Sequence, residues 1–500
     1  MLRGRSLSTV YGIPVLVGAG MLWCAATGVD PISASPTPPA TPGSFTAASY
    51  PPPLVTPWTA WGAHSINEVR HLKTATGSPA WPTPNPWFPL DLYQRTITRE
   101  QFEAKLHTLY DPFSAFTPYL DINDSRVIVY PSAKERRVPQ FVLEFAPPGH
   151  PNPPMRWFRT PEEVRAETHP LDKPLNGVRV AIDPGHIGGP WAQMEERSTR
   201  YHDRATGQVS APVQEGDLNL ITARLLKMEL TDMGASVFLV RDSTEPVTPY
   251  RPEDMVEAAR ELLVAHSAHA TNLRALPPDK LNLLFGHRLM DLAEFLFYRC
   301  SEIVERGNRI RNNFVPDITV TLYLDATPGS GRGRLTSADS NIFFVHGAYT
   351  RSEMADPEMQ RRCVAKMVEG SSEIETEVAA DIAAVFTQRT GLGPVKYGNS
   401  GTTREVIPDT PYVVARNLAA NREYDGPVVC TEPYFMNNKV VYQRLLAGDY
   451  DGVKTFDGKS YGSIFREYAD CVAQGLVKAY AGSTVIAGAT NGPANGGQAK

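Results

Sequence analysis

Val178-Arg179-Val180-Ala181-Ile182-Asp183-Pro184-Gly185-His186-Ile187-Gly188-Gly189 is the stretch on which the fold turns. Val178, Val180 and Ile182 alternate with other residues, which is the period of a strand. Asp183-Pro184-Gly185 then breaks it, because proline cannot donate to a ladder and glycine permits a sharp turn. The turn delivers His186 at the C-terminal end of a buried strand, where open α/β sheets place their ligands. A turn histidine with no chemical role has the same local signature, so the surrounding chain has to decide.

Working outward, Glu215-Gly216-Asp217 opens a helix with acid at its positive end. Leu218, Ile221, Leu225 and Met228 form its predicted core stripe, and Gly234 ends it. Residues 236–241 read as a strand, completing a strand-helix-strand unit that implies parallel pairing and a right-handed crossover. Residues 252–313 read as mostly helical, with Leu292, Phe295, Leu296, Ile303 and Ile310 on the apolar face. His266 and His269 within them read as exposed surface residues, since no third ligand stands beside them. Further strands are expected at 317–325, 341–346 and 427–432, and helices near 373–388 and 463–480. Gly329, Gly331 and Gly333 lack the strand-loop-helix context of a phosphate cradle and read as a flexible connection. The fold class expected is α/β: a twisted, largely parallel sheet flanked by helices.

The chain ahead of this domain divides by composition. Arg3 and Arg5, an apolar run over 10–26 and small residues at Ala25, Ala26, Gly28 and Ala34 have the order of a secretory signal peptide over 1–34. Cleavage near Gly28 or Ala34 is expected, an uncleaved membrane anchor being the alternative. Trp23 is too large for the position before a lipoprotein Cys24. Residues 35–59 form a Pro-rich linker. Residues 60–150 read as a small α+β module: Thr98-Arg99-Glu100-Gln101 is a capping box, the helix stops near Asp111-Pro112, and strands follow at 126–130 and 140–145. The α/β domain takes 175–481, with the helical insertion at about 252–313, and 482–500 is a disordered tail. A net charge of −5 gives no basic surplus for nucleic acid or anionic lipid. No stretch beyond the N-terminal one is long and apolar enough to span a bilayer. The mature chain is therefore expected to be exported, to the periplasm or the outside. Cys300, Cys363, Cys430 and Cys471 are widely spaced and read as buried thiols before disulfides.

His186, Glu215 and Glu432 each fall at a strand end or a helix start of one α/β domain. Imidazole and carboxylate are ordinary zinc ligands, and a second carboxylate can act as general base. Here the sequence resembles the zinc-dependent N-acetylmuramoyl-L-alanine amidases of the amidase 3 type, over roughly 178–480. The matching pieces are Ile182-Asp183-Pro184-Gly185-His186-Ile187-Gly188-Gly189, Glu215-Gly216-Asp217-Leu218-Asn219-Leu220, Gly234-Ala235 with Val240-Arg241, and Val429-Cys430-Thr431-Glu432-Pro433-Tyr434-Phe435-Met436-Asn437-Asn438. The resemblance implies His186 and Glu215 as zinc ligands, Glu432 as the catalytic carboxylate, and peptidoglycan as substrate. It departs at the family's second histidine ligand, in a Ser-Ile-His-Ala-Asn strand end, which falls on Tyr323 of Thr321-Leu322-Tyr323-Leu324-Asp325-Ala326. A neutral phenol, with a pKa of about 10, is a poor zinc ligand. Asp325 on the same side of the strand could replace it from about 6–7 Å away; His346, closing the following strand, is the other candidate.

Two uses of the site follow. In one, a zinc-activated water hydrolyses the amide between N-acetylmuramic acid and L-alanine, with Glu432 carrying the proton. In the other, a metal-free domain of the same fold binds cell wall or regulates another hydrolase. A glycosidase pairing Glu215 with Glu432 at ~5–9.5 Å would leave His186 without a task.

Overall fold

The computed structural model describes residues 87–153, 156–167, 169–201, 209–265, 267, 270–326, 335–395, 401–407 and 410–482. The expected signal peptide and linker, His266, His269, the glycines at 329, 331 and 333, and the tail beyond 482 lie outside them.

Thr98 accepts the Gln101 amide and the Gln101 side chain accepts the Thr98 amide, so α1 (Arg99–Lys105) starts with the capping box read from the sequence. A wide turn, Leu106–Tyr110, carries the helix to Asp111, whose carboxylate accepts the amides of Phe116 and Thr117 at 2.9 and 2.8 Å. An antiparallel meander follows: β1 (Leu120–Ile122), β2 (Arg126–Val129) and β3 (Phe141–Glu144). Its inward side chains, Val127, Val129 and Leu143, are fully buried and join the same apolar core as the large sheet. The join is also polar, with the Tyr349 amide donating to the Tyr110 carbonyl at 3.0 Å and Lys105 paired with Glu373 at 2.7 Å.

The large sheet is built from β4 (Arg179–Pro184) onward. A separate two-stranded ladder, β5 (Ser198–Thr199) with β6 (Val213–Gln214), leads into α2 (Glu215–Asp232). The sheet continues with β7 (Ser236–Leu239), β8 (Ile318–Leu322), β9 (Asn341–Val345), β10 (Arg404–Glu405), β11 (Val413–Ala415) and β12 (Val428–Pro433). The strand order is β10-β11-β9-β12-β8-β4-β7. The β7, β4, β8 and β12 strands are mutually parallel, whereas β9 runs antiparallel to β12 and β10 antiparallel to β11. The sheet is thus mostly parallel, as expected, with one reversal in its middle.

Both faces of the sheet are covered, so β8 and β9 are buried at every position, the threonines of β8 included. Val180, Ile182, Val320 and Leu322 point into the main core, where α2, α7 (Ser371–Thr390) and α8 (Ile464–Ala481) pack; α3 (Val256–Ala265), α4 (His287–Phe295) and α5 (Glu302–Asn313) come from the insertion, and α6 (Pro357–Glu369) precedes α7. Ala181 and Val428 point the other way, against Ile310 of α5 and Tyr424. Fully burying a Val, Ile or Leu side chain contributes about 1.5–3 kcal/mol, so these few positions fix which face is which.

Helix α2 corrects one expectation. Leu220, Ala223, Leu226 and Leu230 are its buried apolar residues, while Leu218, Ile221 and Leu225 flank the core and Met228 is 65% exposed. Cys363, Cys430 and Cys471 are buried thiols without disulfides. No helix among the described residues is long and apolar enough to cross a membrane.

Candidate functional site at the carboxyl ends of the strands

The turn after β4 is held open by contacts that only glycine allows. A Cβ on Gly185 would lie 2.4 Å from the Tyr323 ring, and one on Gly216 would lie 2.4 Å from the Gly188 nitrogen. The first turn of α2 therefore rests directly on the backbone of the histidine loop, and Asp217 accepts the Gly189 amide at 2.8 Å. His186 itself sits at φ +58°, a left-handed conformation that costs a non-glycine residue roughly 1–2 kcal/mol.

That strain is held by a buried polar network the sequence reading did not single out. Arg306 of α5 donates to Asp183 (2.9 Å), to the Pro184 carbonyl (3.0 Å), to the His186 carbonyl (2.9 Å) and to Glu302 (2.8 Å). Tyr424 donates to the other Asp183 oxygen at 2.6 Å. Arg241 reaches the carbonyls of Pro184 and Gly216, both at 3.1 Å. Burial, then the neighbouring Arg306, lowers the Arg241 pKa to about 10. The only sequence signal was the Glu302/Arg306 spacing of four on a helical pattern, which ordinary surface pairs share.

Around this turn the predicted residues gather. His186 Nε2 lies 3.3 Å from Glu215 Oε2, and its Nδ1 lies 3.5 Å from Glu195. The His186 side chain is 11% exposed and Glu215 only 3%. Glu195, also missed from sequence, accepts the Ile187 amide at 2.7 Å. Burial works against its charge, but His186, the Ile187 amide and Arg306 hold its pKa below the usual value. Glu215 accepts the Leu324 amide at 3.1 Å, which ties α2 to the end of β8. Glu432, at the end of β12, is pushed up to about 8 by burial and then by the carboxylates of Asp325 and Glu215. Asp325 is raised to about 6 by burial, with Glu215 adding to it. Tyr323 stands edge-on to the His186 ring at 5.2 Å, and burial holds its phenol well above its ordinary pKa. The insertion walls the opening: Tyr298, Arg299 and Ile303 line, with His186 and Tyr323, a space of about 20 Å3, enough for about one water.

His346 is not part of this gathering. Because β9 runs against β12, its C-terminal end lies beside the start of β12, at the opposite edge of the sheet. The amides of His346 and Val428 both donate to Glu375, each at 3.1 Å. This corrects His346 as a possible third metal ligand.

The zinc implied by the sequence resemblance can be tested against these donors. His186 and Glu215 are suitably placed, and the carboxylate behind Nδ1 fixes the ring as metal-binding histidines require. The third donor is the misfit, because burial holds the Tyr323 phenol well above its ordinary pKa and a neutral phenol is a poor ligand. Among the described residues no three His, Cys, Asp or Glu side chains are grouped to hold a metal ion. Finally, Arg197 Nε donates to His186 Nε2 at 2.9 Å and lies 3.5 Å from Glu215. The residues as they stand do not fit zinc.

No family model matches the sequence, and comparison with curated proteins gives no match. Solved structures give weak likenesses. The N-acetylmuramyl-L-alanine amidase Ami1 from Mycobacterium smegmatis is 14% identical with a TM-score of 0.32, covering 62% of this chain and 99% of that one. The CwlD amidase from Clostridioides difficile, solved with the GerS lipoprotein, is 14% identical with a TM-score of 0.31, covering 61% and 98%. The amidase AmiC2 of Nostoc punctiforme is 13% identical with a TM-score of 0.26, covering 61% and 96%. Likenesses at this level assign no activity to the chain.

Proposed function

We propose that this protein acts at the bacterial cell wall, holding peptidoglycan at the muramoyl–L-alanine junction across the carboxyl ends of β4, β8 and β12. The observation that carries the reading is convergence. His186, Glu215 and Glu432 lie far apart in sequence, in segments that resemble the amidase 3 motifs in order, and they share one edge with Asp325 and Tyr323. A glycan-peptide strand offers amides, hydroxyls and carboxylates. A protonated Glu432 donates to a carbonyl, an ionised carboxylate accepts from amide and hydroxyl groups, and Arg299 of the insertion pairs with a carboxylate. Residues 1–34 are read as the export signal and 35–59 as the tether to the 60–150 module.

Of the two uses open from sequence, recognition without metal fits the donors better than hydrolysis by a zinc-activated water. The former needs only hydrogen-bonding groups at a preformed edge, whereas the latter needs a third ligand and lone pairs not already engaged. Purified protein incubated with insoluble peptidoglycan, with zinc supplied, tests both. Co-sedimentation without new L-alanine amino termini is expected. Release of those termini would restore the hydrolytic reading, and failure to sediment would remove the wall reading altogether.

A further inference from the structure

We propose that the guanidinium of Arg197 is the built-in counter-ion of the His186–Glu215 pair, holding the position a divalent cation would take. The inference rests on reading this edge as an amidase-type wall site. The backbone of Arg197 is pinned, while its side chain is 34% exposed. The β5–β6 ladder pairs Ser198 with Gln214, and the Glu215 amide donates to the Arg197 carbonyl at 3.2 Å, so the two residues are fixed side by side. From there the Nε–H reaches His186 Nε2 at 2.9 Å and faces Glu215 Oε2 at 3.5 Å.

The spacing explains why one cation serves both. His186 Nε2 and Glu215 Oε2 are 3.3 Å apart. Two bonds of about 2.0–2.1 Å meeting at a tetrahedral angle span about 3.3–3.4 Å, so these donors are set to share a single ion. A guanidinium N–H now takes the histidine lone pair. Charge is balanced as well: Arg197 faces the carboxylate of Glu215, while Glu195 on the far side of the imidazole receives the Ile187 amide. The replacement of the second imidazole by Tyr323 and the presence of Arg197 then describe one change, from a metal-held pair to an arginine-held pair.

Cobalt(II) and zinc(II) titrations of the full chain at neutral pH test this, followed by cobalt absorption and metal content. The double variant Arg197→Gln/Tyr323→His is expected to take up one metal per chain at least roughly 100-fold more tightly than the wild type. Tyr323→His alone, and Arg197→Lys/Tyr323→His, are expected to stay close to the wild type, because the cation remains. Tyr323→His alone binding as tightly as the double variant would overturn the proposal. If the double variant does not fold by circular dichroism, the wild type decides through the ring-nitrogen NMR signals of His186. Signals unmoved by one equivalent of zinc support an arginine-held pair; a shift at one equivalent, lost on His186→Ala, overturns it. Peptidoglycan sedimentation in chelator, run on the same wild-type protein, reports the wall reading separately, so each failure can be told from the other.

Discussion

His186 follows β4 and His346 follows β9, yet the two rings lie at opposite edges of one sheet because β9 runs against β12. Each stands near a glutamate at a strand end, and there the likeness stops. At the His186 edge the imidazole presents a lone pair to other side chains, held by Glu195 on one side and Arg197 on the other. At the His346 edge the ring is fully buried and its Nε2 is 2.7 Å from the Tyr349 hydroxyl, while its Nδ1 has no hydrogen-bond partner among the described residues. Burial, with Lys366 and Arg422 nearby, holds its pKa well below the ordinary value. Glu375, the glutamate there, spends its oxygens on two backbone amides and is raised to about 7 by burial. The same residue types thus make a histidine–glutamate pair that faces a side-chain cation at one edge and a closed structural joint at the other. The difference is that Glu375 gives both oxygens to backbone amides, whereas Glu215 gives one to the Leu324 amide and turns the other to His186 and Arg197.

Breaking the support beneath the first edge should have the largest effect. Arg306→Leu strands Asp183 and Glu302 in the interior, and losing one partner of a buried charge network costs about 3–5 kcal/mol. Urea unfolding followed by circular dichroism should show the midpoint fall accordingly. A change below about 1 kcal/mol would mean the network does not hold the turn. Glu375→Ala attacks the other edge. It leaves two buried amides without an acceptor, for an expected loss of about 2–3 kcal/mol. Peptidoglycan retention per folded molecule should be unchanged; a parallel loss of retention would show that the edges are coupled rather than separate.

The smallest effect concerns Glu229 on α2, away from both edges. Burial raises it to about 7, opposed by Arg389, and its Oε2 has no hydrogen-bond partner among the described residues. Its folded pKa lies above the unfolded value, so the native state binds the extra proton between about pH 4.5 and 7. Stability from this group therefore falls as pH rises through that window. Glu229→Gln should flatten the fall and stabilise the chain above pH 7 by about 1–2 kcal/mol, discounted for partial exposure. Melting temperatures of both proteins across that range would check the sign, and a variant that melts lower at high pH would refute it.

Much of the His186 edge was legible in the sequence. Strand alternation through Ile182, the Asp183-Pro184-Gly185 break, the helix start at Glu215 and the strand ending at Glu432 are all written in residues adjacent to one another. Glu195 and Arg197 were not legible, because their loop has no periodicity and their role depends on the β5–β6 pairing. Met228 was misplaced in the core because helical spacing alone does not say how wide the buried stripe is.

Local order came from the chain itself: turns, caps and alternation are decided within a few residues by sterics and side-chain period. Tertiary structure alone decided that β9 reverses, which carries His346 away from Glu432, and that Arg197 meets His186 beside Tyr323. Strand direction and cross-chain charge pairing are set by burial and hydrogen-bond satisfaction among distant segments, and no nearby residue encodes them.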